Sequence, residues 1–142
     1  MKKNMTVLIS IFVIAVMSMC ILTYNKPGTE LDVWSGATYT ENAEFGDGEK
    51  TVLVEVIAED KSVTFTIHSD KKTLGEAMLE HSLIEGENGA YGLYVKKVNG
   101  ILADYDKNQC YWGLYKNGES LMTGVDGVDI TSGEHYEVVY TK

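Results

Sequence analysis

The sequence contains no arginine, and its 12 basic residues, all of them lysine, are outnumbered by 21 acidic residues. All 21 acidic residues and 10 of the lysines lie beyond residue 24, so this part of the chain carries a net formal charge of −11. Nucleic acids and anionic lipid surfaces are bound by clusters of lysine and arginine. The composition therefore argues against a nucleic-acid partner, and the solubility that net charge confers is sufficient to explain the acidity.

Cysteine is almost absent, which excludes two ways of stabilising a small domain. Cys20 lies in an apolar run, so Cys110 is the only thiol in the remainder of the chain. A single thiol forms neither an internal disulfide framework nor a zinc knuckle. Cys110 is therefore predicted to be a small buried apolar residue.

Catalytic motifs are also missing. The chain has no Gly-x-Ser-x-Gly sequence and no glycine-rich phosphate loop, and nothing in the sequence pairs Cys110 with a histidine base. Residues 104–108 match the opening of a calcium-binding loop, but Gln109 and Tyr115 stand where that loop requires glycine and a bidentate acid. A solvated turn is predicted there, no metal site is expected, and the protein is not expected to be an enzyme.

One long hydrophobic run stands near the N-terminus. Residues 5–24 carry no charge, follow Lys2 and Lys3, and would span about 30 Å as a helix, which is the thickness of a bilayer interior. An uncleaved signal anchor over residues 1–24 fits this length best; a cleaved signal peptide and a lipoprotein acylated at Cys20 are the alternatives. The lysines favour a cytoplasmic N-terminus, so a cell-membrane protein with an extracytoplasmic C-terminal domain is predicted.

The chain beyond this segment divides into a linker and a domain. Residues 25–50 hold the only proline, Pro27, with several glycines and no sustained periodicity, and are predicted to be a flexible linker. Residues 51–142 are predicted to form the domain. Their first part alternates apolar and polar residues over 52–57 and again over 63–68, which predicts a β-hairpin.

A helix and further strands follow the hairpin. Thr73 and Glu76 form a capping box, which predicts a helix ending near Ile84 with Gly86 in the reversal. Asn117-Gly118 predicts a tight hairpin turn. Further strands are predicted over residues 91–98, 110–116, 119–122 and 135–141. The order predicts an α+β fold, a small β-grasp-like domain with one helix packed on a mixed or antiparallel sheet, preceded by an N-terminal transmembrane helix.

Aromatic residues cluster before the predicted turn. On a strand, Tyr111, Gly113 and Tyr115 share one face, whereas Trp112 and Leu114 share the other. Two interpretations stay open for Trp112 and Leu114: they fill the core, or they contact a ligand. A glycine between two tyrosines would also let a flat ligand approach the sheet.

The same residues carry a resemblance to a known family. From about residue 51 to the end, the sequence resembles the bacterial domain of unknown function DUF4430, which is related to the C-terminal domain of transcobalamin and intrinsic factor. The matching motifs in chain order are Thr73-Leu74-Gly75-Glu76-Ala77, Tyr91-Gly92-Leu93-Tyr94-Val95, Val98-Asn99-Gly100, Ala103-Asp104-Tyr105, Tyr111-Trp112, Tyr115-Lys116-Asn117-Gly118-Glu119, Thr123-Gly124-Val125-Asp126 and Tyr136-Glu137-Val138-Val139-Tyr140-Thr141. Their combination covers nearly all of the predicted domain.

The resemblance implies a ligand and a site. In the vertebrate carriers the equivalent domain forms one wall of the cobalamin site, so the family relation implies cobalamin as a ligand, with no covalently bound cofactor. The implied ligand-binding residues are Tyr111, Trp112, Leu114, Tyr115, Leu121, Gly124 and Val125. The large helical domain that forms the other wall has no counterpart in this sequence. No cobalt ligand is therefore named, and weak binding is expected unless a partner completes the site.

Two functions are compatible with these observations. The first is a membrane-anchored, extracytoplasmic binding module for cobalamin, a related corrinoid or another bulky flat ligand, which feeds an uptake system. The alternative is a cell-surface module that contacts a membrane or cell-surface protein through a strand edge or aromatic loop, with no small-molecule ligand. A concave pocket beside Trp112 would favour the first, and a flat aromatic patch the second.

Overall fold

Residues 32–142 of the chain are described by a computed structural model. Their strands and helices are β1 (Ala43–Phe45), β2 (Lys50–Ala58), β3 (Lys61–Ser69), α1 (Leu74–Glu80), β4 (Ile84–Gly89), β5 (Gly92–Val98), β6 (Ile101–Leu102), α2 (Tyr105–Asn108), β7 (Tyr111–Lys116), β8 (Glu119–Ser120) and β9 (His135–Thr141). The predicted anchor over residues 1–24 and the acylation alternative at Cys20 lie outside the described residues. Within 32–142, no helix combines the length and the apolar character that crossing a bilayer requires.

The larger sheet contains six strands in the order β1-β3-β2-β9-β7-β8. Strands β2 and β3 pair antiparallel as the predicted hairpin, and β9 lies parallel to β2 and antiparallel to β7. The alternation that predicted β2 places Val52, Val54 and Val56 on one face, where all three are fully buried. The prediction of an α+β fold is confirmed at the level of a mixed, sheet-dominated architecture with few helices.

A second sheet, in the order β4-β5-β6, packs with α1 on the same core. Leu74 and Met78 of the helix join Ile84 and Val98 of this sheet in the buried cluster. Strand β4 was not predicted. Gly86, expected in the reversal after the helix, instead lies at a bulge of β4, where an added side chain would collide with the backbone of β5.

Helix α1 begins as predicted and ends earlier than predicted. The side chain of Thr73 accepts a hydrogen bond from the N–H of Glu76 at 3.2 Å, which completes the threonine half of the capping box. The helix ends at Glu80 rather than near Ile84. Ser82 has a positive φ of 56° and reverses the chain there, a conformation that the sequence pattern did not indicate because it is usually adopted by glycine or asparagine.

The described part of the predicted linker 25–50, residues 32–50, packs on the domain. Trp34 is buried, and its indole N–H donates to the carbonyl of Ala58 at 2.9 Å. Tyr39 exchanges two hydrogen bonds of 2.8 Å with the side chain of Asn99, and β1 pairs parallel with β3. The prediction of a flexible linker is wrong for this part of the segment, because Trp34 and Tyr39 hold it on the domain. The sequence pattern did not show this, since two isolated aromatic residues produce no helical or strand periodicity.

Residues 104–108 also differ from the expected solvated turn. They contain helix α2 and a buried carboxylate, since Asp104 is only 4% exposed. Asp104 accepts a hydrogen bond from the N–H of Asp106 at 3.1 Å, and its carboxylate lies 3.5 Å from the ammonium group of Lys96. The aspartate therefore caps a helical turn and takes part in an ion pair.

Candidate ligand-binding site

A cavity of about 290 Å³ opens beside strand β7. Residues 93–95 of β5 line one part of its wall, and β7 with residues 120–121 and 123–125 lines another. Met78 of α1 and Val138 of β9, which both belong to the buried core, also contact it. The cavity is therefore a gap where the two sheets and the helix meet without filling the space between them.

All seven residues that the resemblance implied lie around this one cavity. The Asn117-Gly118 turn brings them together, because it folds the chain back after β7 so that the N–H of Leu121 donates to the carbonyl of Leu114 at 2.9 Å. Asn117 and Gly118 both have positive φ, as the predicted turn requires. The cavity-lining members of the predicted set are Tyr111, Trp112, Leu114, Tyr115, Leu121, Gly124 and Val125.

Trp112 belongs partly to the cavity wall and partly to the packed interior. It is half-buried and packs against the core cluster without joining it. Its indole N–H donates to the carbonyl of Ile101 at 3.3 Å, and its ring meets the ring of Tyr140 edge to face at 5.5 Å between centroids. With the N–H already bonded, Trp112 offers a ligand mainly its apolar ring surface.

The sequence indicated that Gly113, which lies between two tyrosines, would let a flat ligand approach the sheet. In the structure the space over Gly113 is already occupied. A Cβ atom added to Gly113 would lie 2.9 Å from the ring of Tyr115 and 3.4 Å from the hydroxyl of Thr141. The side chain of Tyr115 thus lies over the glycine. The glycine accommodates a ring of the same strand, so this part of the expectation is corrected.

The loop that carries Gly124 and Val125 is fixed by Asp126. Its carboxylate accepts a hydrogen bond of 2.8 Å from the N–H of Leu93, at the start of β5. The other carboxylate oxygen lies 2.5 Å from where a Cβ of Gly75 would stand, so only glycine leaves room for the carboxylate beside the first turn of α1. Asp126 therefore ties this part of the cavity wall to β5 by a hydrogen bond and packs closely against the first turn of α1.

The β5 side of the wall was not predicted from sequence. Leu93, Tyr94 and Val95 line the cavity, although their motif is part of the family resemblance. Their apolar and aromatic character was visible, but their position opposite β7 depends on how the two sheets meet. Only knowledge of that long-range contact could have placed them in the site.

None of the side chains from residues 32–142 that line the cavity is charged, although the chain as a whole is acidic. Its polar side chains are the hydroxyls of tyrosine, serine and threonine. An isolated charge is costly to bury without a partner. The cavity therefore suits an uncharged, largely apolar group.

Cys110, the one cysteine among residues 32–142, directly precedes β7. Cys110 is buried, at 5% exposure, as predicted. Burial, with the neighbouring Cys110 thiol and the Glu59 carboxylate, raises the pKa of Tyr140 to about 12. Tyr140 therefore stays protonated at neutral pH and supports the Trp112 ring as a neutral group.

The described part of the chain contains no group of three or more histidine, cysteine, aspartate or glutamate residues placed to hold a metal ion.

Comparison with known families gives a match over half of the chain. Residues 71–142 match the family described as "Domain of unknown function (DUF4430)". This agrees with the resemblance read from the sequence motifs. No curated protein sequence matches significantly.

The solved structures that are similar to this one include the following two. A "putative metal binding protein" from Ruminococcus gnavus ATCC 29149 is 34% identical, with a TM-score of 0.62, and the match covers 66% of this chain and 98% of that one. Haptocorrin in complex with Cbi is 20% identical, with a TM-score of 0.56, over 69% of this chain and 26% of that one. The second likeness shows a shared fold, and this chain corresponds to about a quarter of haptocorrin.

Proposed function

The chain belongs to the DUF4430 family, and we propose that it is an extracytoplasmic binding module for a cobalamin-like molecule or another bulky flat ligand. The observation that carries this proposal is the cavity beside Trp112, around which all seven implied ligand-binding residues lie. A concave, mostly apolar pocket with a few polar groups is the usual form of a small-molecule site. The fold shared with haptocorrin, a protein solved in complex with Cbi, supports the same choice.

The size of the cavity limits what the chain binds alone. At about 290 Å³ it lies at the lower end of small-molecule sites, which measure roughly 300–1,000 Å³. A corrinoid is larger than that, so only one part of it enters while the rest stays exposed. A partner that covers the exposed part would raise the affinity, and an uptake system in the same membrane would be such a partner.

We also propose where the chain is located, and we assign it no catalytic activity. Residues 5–24 anchor the chain in the cell membrane, and the domain lies on the extracytoplasmic side. No reaction is assigned, because no nucleophile and base are paired at the cavity. Metal binding, the property in the description of the Ruminococcus gnavus relative, is not carried over, because residues 32–142 contain no cluster of metal-ligating side chains.

Titration of the full chain in detergent with cobalamin and with cobinamide tests the proposal. Binding is followed by calorimetry and by tryptophan fluorescence. We expect saturable binding with one site per chain. No heat and no fluorescence change up to high micromolar ligand would refute binding by the chain alone.

Replacing Trp112 by alanine tests where the ligand binds. Trp112 is half-buried, so Trp112→Ala should cost about 1–3 kcal/mol of stability, less than the ~3–5 kcal/mol of a fully buried aromatic residue. Binding should weaken at least about tenfold, because the largest apolar surface of the wall is lost.

Tyr91→Ala is the matched aromatic control, since Tyr91 is fully exposed in the β4–β5 turn and does not line the cavity. It should leave both stability and binding unchanged. Equal loss of binding in the two variants would show that the cavity is not the site.

The rim of the cavity supports the second candidate, a protein-interaction module. Tyr94 and Tyr111 line the cavity while remaining 46% and 44% exposed, and Met122 in the adjoining loop is 95% exposed. Exposed apolar patches of this kind often mark protein interfaces. Recovery of this chain alone from solubilised membranes, at low and moderate salt, would count against that candidate.

A further inference from the structure

Strand β7 has a neighbour along its whole length on only one side. Strand β9 pairs with every residue from Tyr111 to Lys116, whereas β8 pairs only with Tyr115 and Lys116. After β8, the N–H of Leu121 donates to the carbonyl of Leu114, and no strand of the described residues extends the sheet beyond this edge. The first half of β7 is therefore an open sheet edge.

The hydrogen-bonding direction along β7 identifies which backbone groups are open. In an antiparallel strand, the N–H and C=O of one residue point to the same side, and residues alternate between the two sides. The carbonyl of Leu114 points to the open side, where Leu121 meets it. The N–H of Leu114 and both backbone groups of Trp112 consequently point there too, and none of these three groups has a hydrogen-bond partner among residues 32–142.

These open groups belong to residues that line the cavity. Both Trp112 and Leu114 contribute to its wall, and the wall contains no charged side chain. Backbone groups that become buried without a hydrogen-bond partner are unfavourable, so a ligand that covers this edge must satisfy them. The edge offers two donors and one acceptor.

A carboxamide matches this arrangement better than a carboxylate does. An amide both accepts and donates hydrogen bonds, so it can pair with an N–H and a C=O of one strand at the same time. A carboxylate accepts only, leaves the carbonyl of Trp112 unpaired, and brings a charge into an uncharged wall of an acidic protein.

We propose that the open edge of β7 recognises an uncharged carboxamide group of the ligand, with the apolar part of the ligand on Trp112 and Leu114. This rests on the proposed function, because it assigns the chemistry read by the same cavity. The amide can come from the periphery of a corrinoid or from a polypeptide. Both sources supply the same donor and acceptor pair.

Two measurements on the ¹⁵N-labelled full chain in detergent test the inference. The first is hydrogen exchange of the backbone amides, and the second compares binding of isobutyramide with binding of isobutyrate, which has the same shape but carries a carboxylate. Without ligand, the N–H groups of Trp112 and Leu114 should exchange at least about 100-fold faster than that of Val54 in the central strand β2. Isobutyramide should shift the resonances of these two amides in a saturable way, at least about tenfold more tightly than isobutyrate. Protected amides in the free protein, or equal binding of both probes, would overturn the inference.

A second pair of probes separates this inference from the proposed function. Cobinamide, which carries peripheral amides, is compared with cobyrinic acid, whose peripheral groups are carboxylates, and N-acetylalanine methylamide represents a polypeptide. Binding of isobutyramide and the blocked alanine without binding of cobinamide would support amide recognition and refute the corrinoid ligand. Tight binding of cobyrinic acid would support the corrinoid and overturn amide recognition.

Two variants of one residue isolate the backbone group. Leu114→Ala removes the side chain and keeps the N–H, whereas Leu114→Pro also removes the N–H, and proline is tolerated at an open sheet edge. Both should weaken binding of isobutyramide, and Leu114→Pro should weaken it at least about fivefold more than Leu114→Ala because it also removes a donor, whereas the preference over isobutyrate should remain because the carbonyl of Trp112 is unchanged. Equal binding of isobutyramide by folded Leu114→Pro and Leu114→Ala variants would overturn the inference. If Leu114→Pro does not fold, the exchange measurement on the unaltered chain decides.

Discussion

The two ends of the larger sheet are built differently. At one end, β2 and β3 pair over nine residues each, and the segment from Trp34 to β1 covers them, so that Phe65 is fully buried between Tyr39 and Phe45. At the other end, β8 covers two residues of β7, and Trp112 and Leu114 are only half-buried beside a cavity. The difference indicates that the first end provides stability, whereas the second leaves contacts unmade that a ligand can make.

The largest expected effect separates the two ends by stability. Phe65→Ala removes a fully buried ring and should lower the free energy of unfolding by about 3–5 kcal/mol, measured by urea denaturation. Leu114→Ala, at the half-buried end, should cost about 1–2 kcal/mol. Similar losses in the two variants would contradict the division into a stabilising and a binding end.

A smaller effect is expected at the loop that forms part of the cavity wall. Asp126→Ala removes the acceptor of the Leu93 N–H and should cost about 1–2 kcal/mol, with a larger relative loss of ligand binding because residues 123–125 are no longer held. Glu119→Ala, at an exposed position in the neighbouring hairpin, is the control. Unchanged binding in Asp126→Ala, measured by calorimetry, would show that the loop keeps its position without this carboxylate.

The smallest effect concerns pH. Burial raises the pKa of Glu134, but hydrogen bonds with Lys116, Thr131 and Tyr136 outweigh burial and hold this pKa below its usual value of 4.5. A lowered pKa in the folded state stabilises the protein above about pH 4.5, and this stability is lost as the pH falls through the lower folded value. Because Lys116 is partly open to water, the contribution should be under about 1 kcal/mol.

Glu134→Gln should therefore make the unfolding free energy vary less between pH 6 and pH 3, as measured by urea denaturation at each pH. Glu137→Gln, three residues further along the chain and within β9, is the control. An unchanged pH dependence in Glu134→Gln would refute this assignment.

The sequence predicted the elements whose signals are local. The alternation of Val52, Val54 and Val56, the capping threonine Thr73 and the Asn117-Gly118 turn all act within a few residues, and each is found where the pattern placed it. The family resemblance added the β7 side of the cavity, which periodicity alone left open between core and ligand contact.

The features that were missed depend on contacts between distant parts of the chain. Trp34 is held by Ala58, and Tyr39 by Asn99, so neither shows any periodicity that would distinguish it from a linker residue. Leu93 lies at the cavity because the smaller sheet meets β7, a relation that no window of sequence contains. Ser82 ended the helix in a conformation more typical of glycine.

The central position of β9 has a consequence for how the chain matures. This strand, the final one described, lies between β2 and β7, with Val54 beside Tyr136 on one side and Leu114 beside Val138 on the other. Until β9 is in place, β7 and β8 have no sheet to join, whereas the β2–β3 hairpin can form early because its contacts are local. The end of the larger sheet that borders the cavity is therefore expected to assemble last, because it depends on a strand almost a hundred residues after the start of β1.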